Sequence, residues 1–338
     1  MPDAVRILKD GAAGSTAADE GSTLGTYPLD GELDPLRDGV RCRFLDTKEG
    51  EETVLLIHGM GVSSHMFTHG WNGNYKKDGS PIDALVAAGF RVVAMDARGH
   101  GLSDLPPHDR SSYGMKQVEE QIALLDHLGL DKVHVAGYSK GAEVAIKLTT
   151  THPQRVKSLN VGGSGWSYER GWYEKGYARV NDPCDCPCCG GGGGYGCACF
   201  AMRYCCPCCA GCIAQCLVGE KPSFAAVAAA SKSMDEILNV TEDDLKAIPV
   251  PVGAVWGSKD QEREYLERMQ PVVPDFTMKV IPDEDHESAP DNPQYKEALV
   301  EFFTGVSTRG GAEAMEMDRG DDAKGLGGVP TLPQVRLD

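Results

Sequence analysis

The chain of 338 residues lacks any long apolar run. No stretch of about 18 apolar residues occurs, so the sequence predicts no membrane-spanning helix. The N-terminal part also lacks the apolar core that a secretory signal needs, and we therefore expect a cytoplasmic protein. Residues 1–25 are rich in Gly, Ala, Ser and Asp and are predicted to be disordered.

Positive charge is scarce as well. The chain has 33 Lys and Arg residues against 50 Asp and Glu residues, which gives a formal net charge of −17 at pH 7. A surface of this sign repels phosphate backbones and anionic lipid headgroups. The balance argues against nucleic acid as a partner, whereas the oligomeric state has no signature in the sequence.

Cysteine is nearly absent from most of the chain and is concentrated in one segment. Of 13 cysteines, all but Cys42 lie within residues 184–216, around five consecutive glycines. No histidine lies in this segment. A disulfide framework is not expected in a chain without a secretory signal.

Hydrophobic residues make up 41% of the chain, which is enough for a substantial core. Short apolar runs bounded by turn residues alternate with segments of helical periodicity, and this pattern predicts an α/β fold with a mostly parallel sheet. Strands are expected at 40–45, 53–57, 90–95, 132–136, 156–161, 251–256 and 278–281, and helices at 82–88, 115–128, 241–248 and 295–303.

The most informative motif is GYSKG at residues 137–141. It follows the expected strand at 132–136 and precedes the helix-like run at 142–148. A serine on such a strand-to-helix turn is held in a strained backbone with its Oγ exposed at the carboxyl end of the sheet. The glycines on either side indicate a turn in which strand and helix approach closely.

A serine hydroxyl needs a base, and the base needs a carboxylate that orients it. Both follow later strands: GSKD at residues 257–260 comes after one strand, and DEDH at residues 283–286 comes after the next. The order along the chain is therefore Ser139, Asp260 and His286.

Together, these motifs resemble the α/β-hydrolase superfamily, and specifically its serine esterases and lipases. The matching segments are 55–61 (LLIHGMG), 96–104 (DARGHGLSD), 137–141, 257–260 and 283–286. The resemblance covers about residues 40–165 and 240–303. It implies the α/β-hydrolase fold, with an eight-stranded, mostly parallel sheet, helices on both faces and a lid inserted after the sixth strand.

The resemblance also implies roles for single residues. Ser139 corresponds to the nucleophile, His286 to the general base and Asp260 to the acid that orients it. The backbone N–H groups of Met60 and Lys140 correspond to the oxyanion hole. The charge of the Lys140 side chain is not what an apolar ester pocket would require.

The acid has alternatives. Asp283 and Asp285 flank His286 closely and could replace Asp260. Some members of the superfamily take the acid from the end of the sixth strand, but residues 161–166 (VGGSGW) contain no carboxylate, which favours Asp260.

Four further polar residues are interpreted as structural. His58 and His100 lie in the loops that follow two of the expected strands, and Arg98 and Asp104 are expected to brace the loop that contains His100.

The cysteine-rich segment falls where the lid is expected, and three interpretations stay open. A structural zinc site is one, because Cys186 with Cys189 and Cys206 with Cys209 have C-x-x-C spacing. Membrane contact through S-acylated cysteines is another. The third is a loosely ordered loop of thiols.

The expected organisation has five parts. These are a disordered N-terminus (1–25), a first core part (26–165), a lid insertion (166–240) that includes segment 184–216, a second core part (241–305) and a disordered tail (306–338).

Serine at the elbow predicts acyl transfer to water through an acyl-enzyme intermediate. The expected function is hydrolysis of a carboxylic ester with a small or medium acyl group, with no cofactor required for catalysis. A monoacylglycerol-lipase-like enzyme and a carbon–carbon bond hydrolase are alternatives. A non-catalytic scaffold is the alternative of a different class, and the complete set of Ser139, Asp260 and His286 argues against it.

Overall fold

The computed structural model describes residues 27–29, 31–71, 79–107, 109–167 and 229–324. An eight-stranded sheet has the order β1-β2-β4-β3-β5-β6-β7-β8. Its strands are β1 (Gly31–Leu33), β2 (Cys42–Asp46), β3 (Glu52–Ile57), β4 (Phe90–Met95), β5 (Val133–Tyr138), β6 (Val156–Gly162), β7 (Val252–Gly257) and β8 (Phe276–Ile281). β1 pairs antiparallel with β2 and β2 with β4, and all other pairs are parallel.

Helices cover both faces of the sheet. They are α1 (Pro81–Ala87), α2 (Lys116–His127), α3 (Lys140–Thr151), α4 (Met234–Leu238), α5 (Glu242–Lys246), α6 (Arg263–Glu267) and α7 (Pro293–Lys324). Short 3₁₀ turns lie at Ser64–Phe67, Arg110–Ser112, Pro153–Arg155 and Ala289–Asp291.

Alternate side chains of the central strands feed two separate cores. Leu55 and Ile57 of β3 pack in the core formed with α2 and α3, whereas Val54 and Leu56 pack in the core formed with α1 and α7. A strand buried on both faces reads as a continuous apolar run, as β3 does. The α/β-hydrolase fold expected from the sequence is thereby confirmed for the sheet and the helices that cover it.

Two differences concern the ends of the fold. β1 is absent from the expected strands, because none of its three residues is buried and three residues are too few to show a strand pattern in the sequence. The closing helix, expected at 295–303, extends from Pro293 to Lys324 and so enters the region expected to be a disordered tail. The extension contains the run AEAMEM at residues 312–317, which consists of strong helix formers, although weak helix formers such as Gly and Asp surround it.

Several expectations fall on residues that lie outside the described ranges. These are the disordered N-terminus, most of the lid insertion and the whole cysteine-rich segment with Cys186, Cys189, Cys206 and Cys209. In the described ranges no helix is both long and apolar enough to cross a membrane. The same ranges contain no cluster of three or more His, Cys, Asp or Glu side chains arranged to hold a metal ion.

Candidate active site

Ser139 lies at the turn between β5 and α3 in a backbone conformation that non-glycine residues rarely adopt. Its φ is 55° and its ψ is −127°. The turn is tight enough to exclude side chains on both sides: a Cβ on Gly137 would lie 2.1 Å from the carbonyl oxygen of Gly141, and one on Gly141 would lie 2.1 Å from that of Ile57. The glycine spacing of the motif is therefore a steric requirement of this turn.

The three residues that the sequence singles out form one chain of hydrogen bonds. His286 Nε2 lies 2.9 Å from Ser139 Oγ. On the other side of the ring, His286 Nδ1 lies 3.0 Å from Asp260 Oδ2 and 3.2 Å from Oδ1. The loops after β5, β7 and β8 thus bring together residues that are far apart in the sequence.

The surroundings fix the orientation of the Asp260–His286 pair. Asp260 is 2% exposed, and its Oδ1 also accepts a hydrogen bond from the backbone N–H of Glu262 at 2.8 Å. The backbone carbonyl of His286 accepts a 2.9 Å hydrogen bond from the Tyr138 hydroxyl, next to Ser139 in the chain. The Asp260 carboxylate is therefore fixed within the loop after β7, and the backbone of His286 is tied to β5 through Tyr138.

The protonation state of His286 follows from its partners. An ionised carboxylate only accepts hydrogen bonds, so Nδ1 carries a proton and a neutral ring leaves Nε2 free to accept from Ser139. Burial lowers the pKa of His286, but the hydrogen bond to Asp260 and the charge of Glu262 outweigh burial and raise this pKa to about 9.

The alternative acids are engaged elsewhere. The side chain of Asp283 is 87% exposed and pairs with Lys259 at 3.0 Å. Asp285 closes a local turn, in which its Oδ1 accepts hydrogen bonds from the backbone N–H and hydroxyl of Ser288. Of the three carboxylates, Asp260 is the one that contacts the imidazole.

The loop after β3 lies directly against Ser139. A Cβ on Gly59 would come within 3.3 Å of Ser139 Cβ and 2.8 Å of the Trp71 ring. Met60 follows Gly59 in this loop, and Lys140 is the first residue of α3, whose initial N–H groups have no partner within the helix. Gly59, which precedes Met60, packs against Ser139, and Lys140 follows Ser139 directly.

Trp71 forms one wall beside the imidazole. Its ring meets the His286 ring nearly edge-on, with centroids 5.8 Å apart, and meets Tyr138 at 5.7 Å. Its backbone N–H donates to Asp291 Oδ1 at 2.6 Å, which ties the loop after β3 to the turn that follows His286.

His58 has a structural role in this arrangement, as its place in the loop after β3 predicts. Its Nδ1 donates to the carbonyl of Gly59 at 2.8 Å, and its Nε2 accepts from the N–H of Ala97 at 2.9 Å. A ring that donates on one side and accepts on the other is neutral. Burial lowers the pKa of His58 to about 4, in agreement with this state.

The loop after β4 is braced by buried ion pairs. Arg98 is 1% exposed and bonds Glu120 of α2 at 2.7 Å and Asp38 at 3.1 Å. Asp104 pairs with Arg41 at the surface, at 2.8 Å. His100 packs against His58 with ring centroids 5.3 Å apart.

Two acids beside the hydrogen-bonded chain are not among the sequence candidates. Glu143, one helical turn after Ser139, is 5% exposed and accepts a 3.0 Å hydrogen bond from the hydroxyl of Ser164. Burial raises the pKa of Glu143 to about 8 and also raises the pKa of Glu262. The sequence signal that could have identified Glu143 is an acidic residue among small, apolar neighbours at the start of a helix.

The side chain of Lys140 is buried and extends toward α2. It is 5% exposed, and its Nζ donates a 2.9 Å hydrogen bond to Oε1 of Gln117 on α2. Burial lowers the pKa of this ammonium to about 8, although the carboxyl groups of Glu120 and Glu143 act in the opposite direction. The charge is thus enclosed between α2 and α3.

A family model described as the alpha/beta hydrolase fold matches residues 52–174. Over 136 residues the chain is 38% identical to 2-hydroxy-6-oxononadienedioate/2-hydroxy-6-oxononatrienedioate hydrolase 2 of Pseudomonas putida. This alignment covers 40% of this chain and 43% of that protein. The chain thus aligns with less than half the length of this relative.

Solved structures share the fold over a larger part of the chain. An esterase from Thermogutta terrifontis covers 79% of this chain and 94% of its own, at 23% identity and a TM-score of 0.58. An epoxide hydrolase from Vigna radiata covers 79% and 95%, at 19% identity and a TM-score of 0.59. At such identities the likeness concerns the fold, which carries different reactions in these two proteins.

Proposed function

Because the chain belongs to the α/β-hydrolase superfamily, we propose that it is a serine hydrolase that cleaves a carboxylic ester through an acyl-enzyme intermediate. The observation that carries the proposal is the 2.9 Å contact between His286 Nε2 and Ser139 Oγ, continued to Asp260 at 3.0 Å. A hydroxyl, a base and an orienting carboxylate are the groups that this chemistry needs.

In the proposed mechanism, His286 takes the proton of Ser139 as Oγ attacks the ester carbonyl. The resulting imidazolium is stabilised by Asp260 and returns the proton to the departing alcohol. Water, activated by the same imidazole, then releases the acid and regenerates Ser139. The reactants of the proposed mechanism are the ester, water and the protein's own side chains.

The negative charge on the carbonyl oxygen would be met by the backbone N–H groups of Met60 and Lys140. Their place beside Ser139 supports this role, because Gly59 packs against Ser139 and Lys140 begins α3. Loss of one such donor costs on the order of 3 kcal/mol of transition-state stabilisation.

Hydrolysis of a carbon–carbon bond is the second candidate, and the relatedness to the Pseudomonas putida hydrolase favours it. The same serine, base and oxyanion donors would act, but the leaving group would be a carbon that must depart as a stabilised enolate and be protonated by His286. A 2-hydroxy-6-oxononadienedioate is therefore a substrate to be tested beside esters.

A fluorophosphonate probe tests the proposed nucleophile. Wild-type protein should be labelled covalently, Ser139→Ala should not, and Ser258→Ala, which alters a serine in the loop after β7, should be labelled like the wild type. Labelling that persists in Ser139→Ala would rule out Ser139 as the nucleophile.

A substrate panel separates the two candidates. p-Nitrophenyl esters of graded acyl length measure ester hydrolysis, and loss of the dienone absorbance of 2-hydroxy-6-oxononadienedioate measures carbon–carbon cleavage. The ester proposal predicts the larger kcat/KM on an ester. A larger value on the dienedioate would replace it by the second candidate.

A further inference from the structure

Lys140 carries a buried positive charge directly beside the proposed nucleophile. Its backbone begins α3 next to Ser139, while its side chain ends at Gln117 on α2. A lysine side chain is a four-carbon stem, so the ammonium lies within one side-chain length of the backbone N–H that would hold the oxyanion.

The neighbours of this ammonium leave its charge without a close counter-ion. Its hydrogen-bond acceptor, Gln117 Oε1, is neutral. Glu120 is held by Arg98 at 2.7 Å, and within the part of the chain that the structure describes Lys140 forms no ion pair. Glu143 accepts its hydrogen bond from the Ser164 hydroxyl at 3.0 Å, and burial raises the pKa of its carboxyl to about 8, which weakens it as a counter-ion.

Burial and the positive charge of Lys140 both lower the pKa of two histidines, His58 and His100, and both rings are neutral. His58 is neutral because it donates at Nδ1 and accepts at Nε2. His100 donates at Nδ1 to the carbonyl of Arg98, and burial lowers its pKa well below the usual range. Lys140 itself stays charged at pH 7, because its pKa, although lowered by burial, is about 8.

We propose that the Lys140 ammonium is a fixed positive charge that stabilises the oxyanion formed when Ser139 attacks the substrate. The inference rests on the proposed function, since it needs Ser139 as the nucleophile. A fixed positive charge in a site of low dielectric stabilises negative charge that develops nearby without moving at the moment of reaction. The ammonium lowers the barrier most for a neutral ester, because the negative charge that it stabilises is absent from that substrate and appears only in the transition state.

Removal of the charge should therefore lower kcat more than it raises KM. Lys140→Met keeps the length of the stem without the charge, and Lys140→Gln keeps hydrogen-bonding capacity without it. Both should lower kcat on a neutral p-nitrophenyl ester on the order of tenfold at pH 7, with KM changed less than twofold. Lys147→Met, on the same helix with its Nζ on the carbonyl of Asn239, is the matched control and should keep wild-type kcat.

Butylboronic acid gives a second readout that depends on the same charge. Addition of Ser139 Oγ to boron, with loss of the Oγ proton to His286, gives an anionic tetrahedral adduct that resembles the intermediate. Its inhibition constant should rise about as much as kcat falls in both Lys140 variants. Thermal unfolding is measured on both variants, because Lys140→Met leaves the buried Oε1 of Gln117 without its donor, whereas Lys140→Gln can still donate to it. A fall in kcat that is the same in both variants is then independent of any difference in their stability.

The outcomes separate the inference from the proposed function. Unchanged kcat and boronate inhibition in the Lys140 variants, with a wild type that hydrolyses esters, would overturn the inference alone. A loss of activity in the Lys140 variants that is confined to substrates carrying a carboxylate would also overturn the inference. The ammonium would then bind the substrate and would not act on the oxyanion. A wild type that neither hydrolyses esters nor binds boronate would overturn both.

Discussion

Asp260 is buried and holds His286, whereas Asp283 is exposed and pairs with Lys259. A carboxylate that fixes the tautomer of the base must contact it, and exposure weakens any electrostatic effect on the imidazolium. The difference between these two residues is therefore a difference in catalytic role under the proposed function.

Asp260→Asn should lower kcat on the order of 10³- to 10⁴-fold, because the amide no longer holds the reactive tautomer. The measurement is steady-state hydrolysis of a p-nitrophenyl ester. Asp283→Asn is the control and should stay within about twofold of the wild type. A large effect of the control with a small effect of Asp260→Asn would assign the acid to Asp283.

The raised pKa of His286 predicts an unusual pH dependence. The base must be neutral, so kcat/KM should rise with pH until it passes the His286 pKa of about 9. Glu262 contributes its negative charge to this raised pKa, so Glu262→Gln should move the rising limb to lower pH.

The rise of kcat/KM with pH is measured from pH 6 to pH 10 in the wild type and in Glu262→Gln. Glu267→Gln, at an exposed position on α6, is the control. Because Lys140 loses its own proton near pH 8, the variants are also compared in the Lys140→Gln background, where the charge of residue 140 does not vary. A limb that stays in place in Glu262→Gln would contradict the assigned electrostatic role of Glu262.

At the scale of elements, the junction of β5 and α3 combines a strained serine with two glycines in van der Waals contact with neighbouring backbone. The strain is held in place because β5 lies in the centre of the sheet, between β3 and β6. A backbone conformation of this kind persists only where the surrounding structure over-determines it.

Two glycine-to-alanine substitutions should have opposite effects. In Gly141→Ala the new Cβ would lie 2.1 Å from the carbonyl oxygen of Ile57, so the free energy of unfolding should fall by roughly 2 kcal/mol or more. In Gly305→Ala, on α7, the Cβ would meet nothing within 4 Å, so the free energy of unfolding should rise by about 0.5–1 kcal/mol. Urea unfolding followed by circular dichroism measures both, and equal shifts would refute the steric account.

For the molecule as a whole, His286 carries every proton transfer of the proposed reaction, and no metal ion takes part in it. Treatment with EDTA should therefore leave kcat on esters unchanged, whatever the cysteine-rich segment binds. Metal content, measured by mass spectrometry on untagged protein before and after EDTA, shows whether zinc was present and removed. A kcat that falls with the metal and returns with added zinc would contradict the prediction.

Much of the fold and of the candidate site could be predicted because both depend on local patterns. Buried parallel strands are apolar runs, and the elbow carries its glycines because backbone contacts exclude any side chain there. The absence of a carboxylate at 161–166 favours Asp260 over an acid at the end of the sixth strand. The choice between Asp260 and Asp283 depends on burial, which is a property of packing and has no local pattern.

What the sequence left out depends on contacts between distant segments. β1 is recognisable through its pairing with β2, since its own three residues have no strand pattern. The enclosure of Lys140 requires α2 to lie across the start of α3, and the bond between Glu143 and Ser164 requires the end of β6 to meet α3. Such long-range juxtapositions turn ordinary surface residue types into buried ionisable groups.

The edge-on contact between Trp71 and His286 also gives this site an optical signal. A protonated imidazole quenches the emission of a neighbouring indole, and these two rings are 5.8 Å apart. The fluorescence of Trp71, isolated by subtracting that of Trp71→Phe, should therefore brighten as His286 loses its proton. The charge on the proposed base can in this way be followed by light emission in the resting enzyme, before any substrate has been identified.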